Sequence, residues 1–209
     1  MEVVAEKSAK SGRKAKGAGY LRRAEILHAA EKLFVREGYQ GATIRKIAQE
    51  VGLSSTALYM HFRDKSEILL EICEGTFAHL RDANLEIVSL PISAEQRVRR
   101  MLEVYVEFAL ANPNAYLVVF ERTLVAPEKV KVLNELGQQV EDPVLQALRE
   151  LSATTPLRCS PEEATHICWA ACHGLVALVI NHPQVEWPAA PKTLINIMLD
   201  TLVAGLKAK

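Results

Sequence analysis

Between Thr43 and Phe62 the chain reads TIRKIAQEVGLSSTALYMHF, and this stretch limits the possible fold more than any other. Its apolar residues fall into two short helical sets on either side of a glycine. Ile44, Ile47, Ala48 and Val51 share the inner face of the first set; Ala57, Leu58 and Phe62 form the apolar side of the second. Leu53 follows Gly52 and is placed to pack between them. Ala48 is small where two helices have to cross, and Gly52 is free to adopt positive φ at a tight turn. A close crossing, a tight turn and an outward second helix are what a helix-turn-helix needs to lay a helix in a major groove.

Net charge is zero, with 25 Lys and Arg against 25 Asp and Glu, which by itself argues against nucleic acid. The charges are unevenly placed. Residues 1–65 carry 13 basic and 7 acidic residues, and residues 66–209 carry 12 and 18. A basic half next to an acidic half suits a chain of which one part meets a polyanion.

Apolar residues recur at helical spacing nearly everywhere and no stretch alternates as a strand would, which predicts an all-α fold. Residues 1–19 are basic and glycine-containing and read as a disordered tail, either simply solvated or an arm reaching into a minor groove. A first helix is predicted over 20–37, ended by Gly38. Thr43 caps a helix through Val51, Ser54 caps one through about His61, and Asp64 caps a long helix to about Val88. All nine prolines lie at or beyond Pro91, and most mark breaks between helices predicted at 94–111, 113–125, 128–154, 161–181 and 190–207. Pro143 falls inside one of these and predicts a kink or a division, with Asp142 as the second cap.

The longest apolar run, Ile167–Ile180, is 14 residues, short of the roughly 18–20 a membrane span needs, and reads as a buried helix. The four cysteines lie in helical patterns, not in a disulfide framework, which fits a reducing cytoplasm. No G-x-S-x-G, H-E-x-x-H, P-loop or G-x-G-x-x-G element occurs, so the chain does not read as an enzyme. His166, Cys168, Cys172 and His173 are potential metal ligands, but a straight helix splits the cysteines from the histidines by about 100° or more. No metal and no cofactor is expected.

The DNA-facing set is Thr43, Arg45, Ser54, Ser55, Thr56, Ala57, Tyr59, His61 and Lys65. Thr43 and Ser54 sit at helix N-termini, where free backbone N–H groups favour phosphate. Arg45 is long enough to reach a base edge, and a guanidinium can bond guanine twice.

The series Ile26-Leu27, Ala29-Ala30, Leu33-Phe34, Gly38, Thr43, Ile47-Ala48, Gly52, Leu58-Tyr59, His61-Phe62, Lys65 and Leu69 resembles the DNA-binding domain of the TetR/AcrR family. The resemblance covers about residues 20–80 and implies that the helix at 55–61 reads DNA. It implies a base contact for Arg45 and phosphate or backbone contacts for Thr43, Tyr59, His61 and Lys65. Thr56, Ala57 and Met60 depart from the commonest pattern and leave few long polar side chains on the reading helix, which favours readout of DNA shape. The element Trp169-x-x-x-His173-Gly174 resembles a C-terminal class of these regulators known by its W-H-G signature.

With that resemblance the architecture becomes a tail (1–19), a three-helix helix-turn-helix domain (20–80), and a helical ligand-binding and dimerisation domain (81–209), joined by a long helix. Phe77, Met101, Tyr105, Phe108, Tyr116, Phe120, Trp169 and His173 are the candidate lining of a pocket for a small apolar or amphipathic effector, or else plain core; Cys73 belongs to the same group. The helix around Trp169 is apolar on every side, so it needs both its own core and a partner subunit as cover. Cys172, Leu175, Val179, Leu194, Ile197, Met198, Thr201 and Leu202 are the expected homodimer interface, built as four helices. The functional expectation is a repressor released from a palindromic operator when a ligand near Phe77 tilts the long helix. An activator of the same fold, or a ligand-binding protein with decayed DNA binding, is the alternative.

Overall fold

The computed structural model describes residues 18–120 and 127–208. Nine helices occur among them: α1 (Ala18–Gly41), α2 (Ile44–Glu50), α3 (Ser55–Tyr59), α4 (Lys65–Val88), α5 (Ala94–Ala111), α6 (Pro113–Phe120), α7 (Pro127–Thr154), α8 (Pro161–Asn181) and α9 (Pro191–Leu206). The only extended pairing among the described residues is an isolated bridge between Leu157 and Lys207.

Caps set the helix starts. The Thr43, Ser54 and Asp64 side chains each accept the backbone N–H three residues on, from Lys46 (3.2 Å), Ala57 (3.1 Å) and Glu67 (2.8 Å). Ser93 and Ser160 form reciprocal capping boxes with Gln96 and Glu163. Gly38 is where the first helix breaks, at φ +71°, but one further turn follows to Gly41. An L residue is strained at that φ, so the break depends on glycine. Pro143 does not divide α7, which runs through it with Pro143 buried, and Asp142 therefore caps nothing. A proline removes one helical hydrogen bond; packing against α4 and α5 on either side of it holds the helix together. The predicted tail lies outside the described residues, except that Ala18 and Gly19 already belong to α1. Residues 121–125 of the predicted sixth helix also lie outside them.

Two apolar clusters result. Ile26, Ala30 and Leu33 of α1, Ile47 of α2, Leu58 of α3, Phe62, and Ile68, Ile72 and Cys73 of α4 form the first. Ile87, Val98, Met101, Val106, Leu148, Cys168, Cys172, Val176 and Leu199 are central to the second. They are not isolated from one another: Val118 and Val119 of α6 and Leu133 of α7 pack on the first cluster. α4 belongs to both and makes its most extensive contact with α7.

α8 corrects the reading that no segment is suited to a membrane. Over its 21 residues it is long and apolar enough to cross one, although less than a third of its most apolar stretch is buried in this chain. Length and hydropathy of that kind equally describe a helix covered by protein on all sides. Its buried face carries Ala164, Thr165, Cys168, Cys172 and Val176; Glu162 and Glu163 occupy its first turn.

Candidate DNA-reading face and ligand cavity

Gly52 turns the chain at φ +64°, and the Leu53 N–H bonds the Ala48 carbonyl at 2.8 Å, which closes the turn between α2 and α3. Ile47, Ala48, Leu58 and Phe62 are buried beneath. Two arginines of α1 tie the motif down. Arg22 donates to the Val51 carbonyl at 2.8 Å, at the end of α2. Arg23 bonds both carboxylate oxygens of Glu71 (2.7 and 2.9 Å) and the His61 carbonyl, with its guanidinium 4.0 Å above the Phe62 ring. Sequence reasoning missed both, because their partners lie 29 to 48 residues away along the chain.

Of the expected DNA-facing residues, Thr43, Arg45, Ser54, Thr56 and Tyr59 are exposed, and Ser55, Ala57 and His61 are half-buried on the same motif. Met60 is the most exposed apolar side chain of the motif, at 83%. Lys65 departs from expectation. Its ammonium is part-buried, bonds the carbonyls of Ala42 (2.8 Å) and Tyr39, and lies 4.1 Å from the centre of the Tyr39 ring. Burial lowers its pKa from the usual lysine value. With its donors spent on backbone, Lys65 is a staple between α4 and the end of α1 and is not presented outward.

A cavity of about 720 Å³ lies between the two clusters. Phe77, Met101, Tyr105, Phe120, Trp169 and His173 line it as expected, and so does Cys73. Phe108 does not: it stacks on His79, ring centroids 4.9 Å apart, and is a packing residue. Nor does Tyr116, which is buried behind His173 with its hydroxyl 2.8 Å from Nδ1. Several lining residues were missed, among them Leu69, Leu80 and Asn84 of α4 and Val118 and Val119 of α6. Phe34, Val35 and Tyr39 come from α1, and Asn134, Gln138 and Glu141 from one face of α7. The α7 set recurs at helical spacing, which was the signal for a shared face.

His173 is the polar centre of the aromatic wall. Tyr116 and Tyr105 hydroxyls approach its Nδ1 at 2.8 and 3.4 Å, and the Phe120 and Trp169 rings lie 4.9 and 5.7 Å away, centroid to centroid. Burial lowers the His173 pKa and favours the neutral imidazole, whose Nδ1 is hydrogen-bonded to the Tyr116 hydroxyl; that hydroxyl also donates to the His173 carbonyl at 3.3 Å. Burial pushes the Tyr116 phenol up to about 12 and raises Tyr105 as well. The sign of the pH dependence follows. Below the ordinary histidine value of about 6.5 the unfolded chain binds a proton that folded His173 resists, so stability falls as pH drops from there toward the depressed value. Above about 10 the unfolded chain loses a phenol proton that folded Tyr116 keeps, so stability falls again. Thermal unfolding followed from pH 7 to pH 5 is expected to lose stability in wild type and to lose less in His173→Asn.

On the surface, α8 exposes Ile167, Ala170 and Leu178, with Ala171 and Gly174 half-buried between them; α9 exposes Ile197 and Thr201. Leu175, Val179, Leu194, Met198 and Leu202 are half-buried at the margins of this surface. Cys172 is not on it. At 1% exposure it belongs to the chain's own core, beside Cys168, and burial raises both thiols to about 12. The helix is apolar all round, so its residues alone do not fix which face turns inward; packing against α5 and α7 does.

Two family matches and three similar proteins fit this geometry. The family of bacterial regulatory proteins named for tetR matches residues 26–72, and the tetracyclin repressor-like C-terminal domain matches residues 98–202. The transcriptional activator FasR of Mycolicibacterium smegmatis is 29% identical over 109 residues, 52% of this chain and 50% of its own. The nucleoid occlusion factor SlmA of Vibrio vulnificus is 32% identical over 136 residues, 62% of this chain and 67% of its own. The chain thus spans about half the length of FasR. The crystal structure of FadR from Bacillus subtilis, in complex with stearoyl-CoA, superposes with a TM-score of 0.74 at 18% identity, covering 87% of this chain and 98% of FadR. The chain belongs to the tetR family of bacterial regulatory proteins.

Proposed function

We propose that this chain is a homodimeric, ligand-responsive DNA-binding regulator of transcription, a repressor that leaves a palindromic operator when a small apolar or amphipathic molecule fills the cavity. It works where the chromosome is, in the bacterial cytoplasm. One observation carries this reading: the cavity wall includes residues of the helix-turn-helix unit itself, Phe34 and Tyr39 of α1 and Leu69 and Cys73 of α4. Tyr39 faces the cavity while its carbonyl holds Lys65, the first residue of α4. A molecule that displaces Tyr39 therefore acts on the support of the reading helix. It shifts the equilibrium only as far as it prefers one state over the other. The kinship to FadR, whose structure holds stearoyl-CoA, supports a responsive cavity in this fold.

The DNA contacts in this reading are Thr43, Arg45, Ser54, Ser55, Thr56, Ala57, Tyr59 and His61. The dimer forms through α8 and α9, with Ala170 and Gly174 letting two copies of α8 approach closely. An isologous interface brings each residue near the axis against its own copy. Ala170→Glu is expected to place like charges across it and leave a monomer in sedimentation velocity; an unchanged dimer would contradict the placement. FasR is named an activator, and the sign of regulation depends on where the operator lies, so activation is the second reading.

The test is selection of random duplex DNA by the purified protein. Enrichment of a palindrome whose half-sites lie about one helical turn apart is the expected result. Weak, salt-sensitive binding with no enrichment contradicts the reading and favours a ligand-binding protein with decayed DNA binding.

A further inference from the structure

Leu69, Cys73, Phe77, Leu80 and Asn84 of α4 all face the cavity. They recur every three or four positions and form one stripe. At a rise of about 1.5 Å per residue that stripe is about 22 Å long. A space of about 720 Å³ drawn out along it is a channel.

The channel is polar at one end. Asn84 is only 4% exposed, and its amide nitrogen donates to the Val140 carbonyl at 3.1 Å. The Val140 carbonyl has no proton to give, so the amide atom that faces it is Nδ2, which leaves Oδ1 as the open atom. No donor among the described residues meets it. Glu141, next in the chain to Val140, lines the same space and has no ion-pair partner among the described residues. Among the described residues it is the one lining side chain with a formal charge, and none of the lining is Lys or Arg. The opposite end, at Leu69, abuts Phe34 and Tyr39.

We propose that the effector is an elongated cationic amphiphile, an alkylammonium in the simplest case, with its head at Asn84 and Glu141 and its apolar body along α4 toward Tyr39. The inference rests on reading the cavity as the effector site. An ammonium offers three donors and a positive charge to an end of the cavity where Asn84 Oδ1 is open and Glu141 is the one formally charged lining side chain among the described residues. A carboxylate head of the same length meets a like charge at Glu141 and, in the lining, only neutral donors such as the Gln138 amide. The apolar body supplies affinity, and the head supplies selectivity.

The experiment titrates the full chain at pH 7 with dodecylamine, dodecanol and dodecanoate below their micelle concentrations, reading Trp169 fluorescence in a Trp187→Phe background, and measures operator affinity alongside. Dodecylamine is expected to bind at least about tenfold more tightly than dodecanoate. Butylamine, with far less apolar surface to bury, is expected to be weaker than dodecylamine by roughly a hundredfold or more. Glu141→Gln is expected to bring the amine-to-carboxylate ratio close to one, and a thermal melt like that of wild type shows that the variant is folded. Dodecanoate binding as well as the amine, or a ratio unmoved by Glu141→Gln, overturns the inference. If all three bind alike and shift operator affinity, the effector site stands and the head preference fails. If none of them binds, both fall.

Discussion

Arg45→Ala is expected to cause the largest loss of operator affinity of any single exposed substitution. Arg45 projects from α2 without an ion-pair partner among the described residues, whereas its neighbour Lys46 is engaged by Glu37 and the Gly41 carbonyl. A guanidinium bonded twice to guanine contributes about 1–3 kcal/mol of discrimination. A dimer uses it twice, so the loss is about 2–6 kcal/mol, or roughly thirtyfold to twenty-thousandfold. Kd measured on the selected operator and on single-base variants checks this. Loss concentrated at one base position per half-site marks a base contact. A loss uniform across sequences, with a salt slope lower by about one per protomer, reassigns Arg45 to phosphate.

Phe62→Ala is expected to be the most destabilising change in the helix-turn-helix unit. The ring is 1% exposed and sits among α1, α3 and α4, with the Arg23 guanidinium 4.0 Å above it. Emptying such a site costs about 3–5 kcal/mol. The lost cation–π contact adds about 0.5–2 kcal/mol. Against a total stability of about 5–15 kcal/mol this is enough to unfold the unit near physiological temperature. Phe62 belongs to the first cluster alone, so that unit is expected to unfold first and chemical denaturation to become biphasic. Met60→Ala, two residues earlier and 83% exposed, is expected to change stability by no more than about 0.5 kcal/mol. A Phe62→Ala protein that unfolds in one transition at the wild-type midpoint would contradict the packing described.

The local signals in the sequence were the reliable ones. Thr43, Ser54 and Asp64 are residue types that satisfy free N–H groups, and the helices begin where they stand. Gly38 and Gly52 are the positive-φ glycines among the described residues, placed where a side chain would be strained. What escaped depends on partners far along the chain. Lys65 at the start of a helix reads as a free cation, yet its acceptors are backbone carbonyls 23 and 26 residues away. Arg23 finds Glu71 across 48 residues, which no local pattern reveals. Cys172 and Gly174 sit in a helix without a polar face, so its phase was undetermined until its neighbours were known. Tyr116 and Phe108 are aromatic like the true lining, and only three-dimensional packing separates a wall from the layer behind it.

The central claim is that occupancy of the cavity and occupancy of the operator oppose each other. The most direct measurement is operator Kd with the cavity empty and with it filled by a compound that binds wild type but not a cavity-filling Val144→Trp variant. Filling is expected to weaken operator binding by about 5- to 150-fold, and operator DNA is expected to weaken the compound's binding by the same factor, since coupling is reciprocal. An operator Kd that is the same with the cavity empty and full would contradict the account.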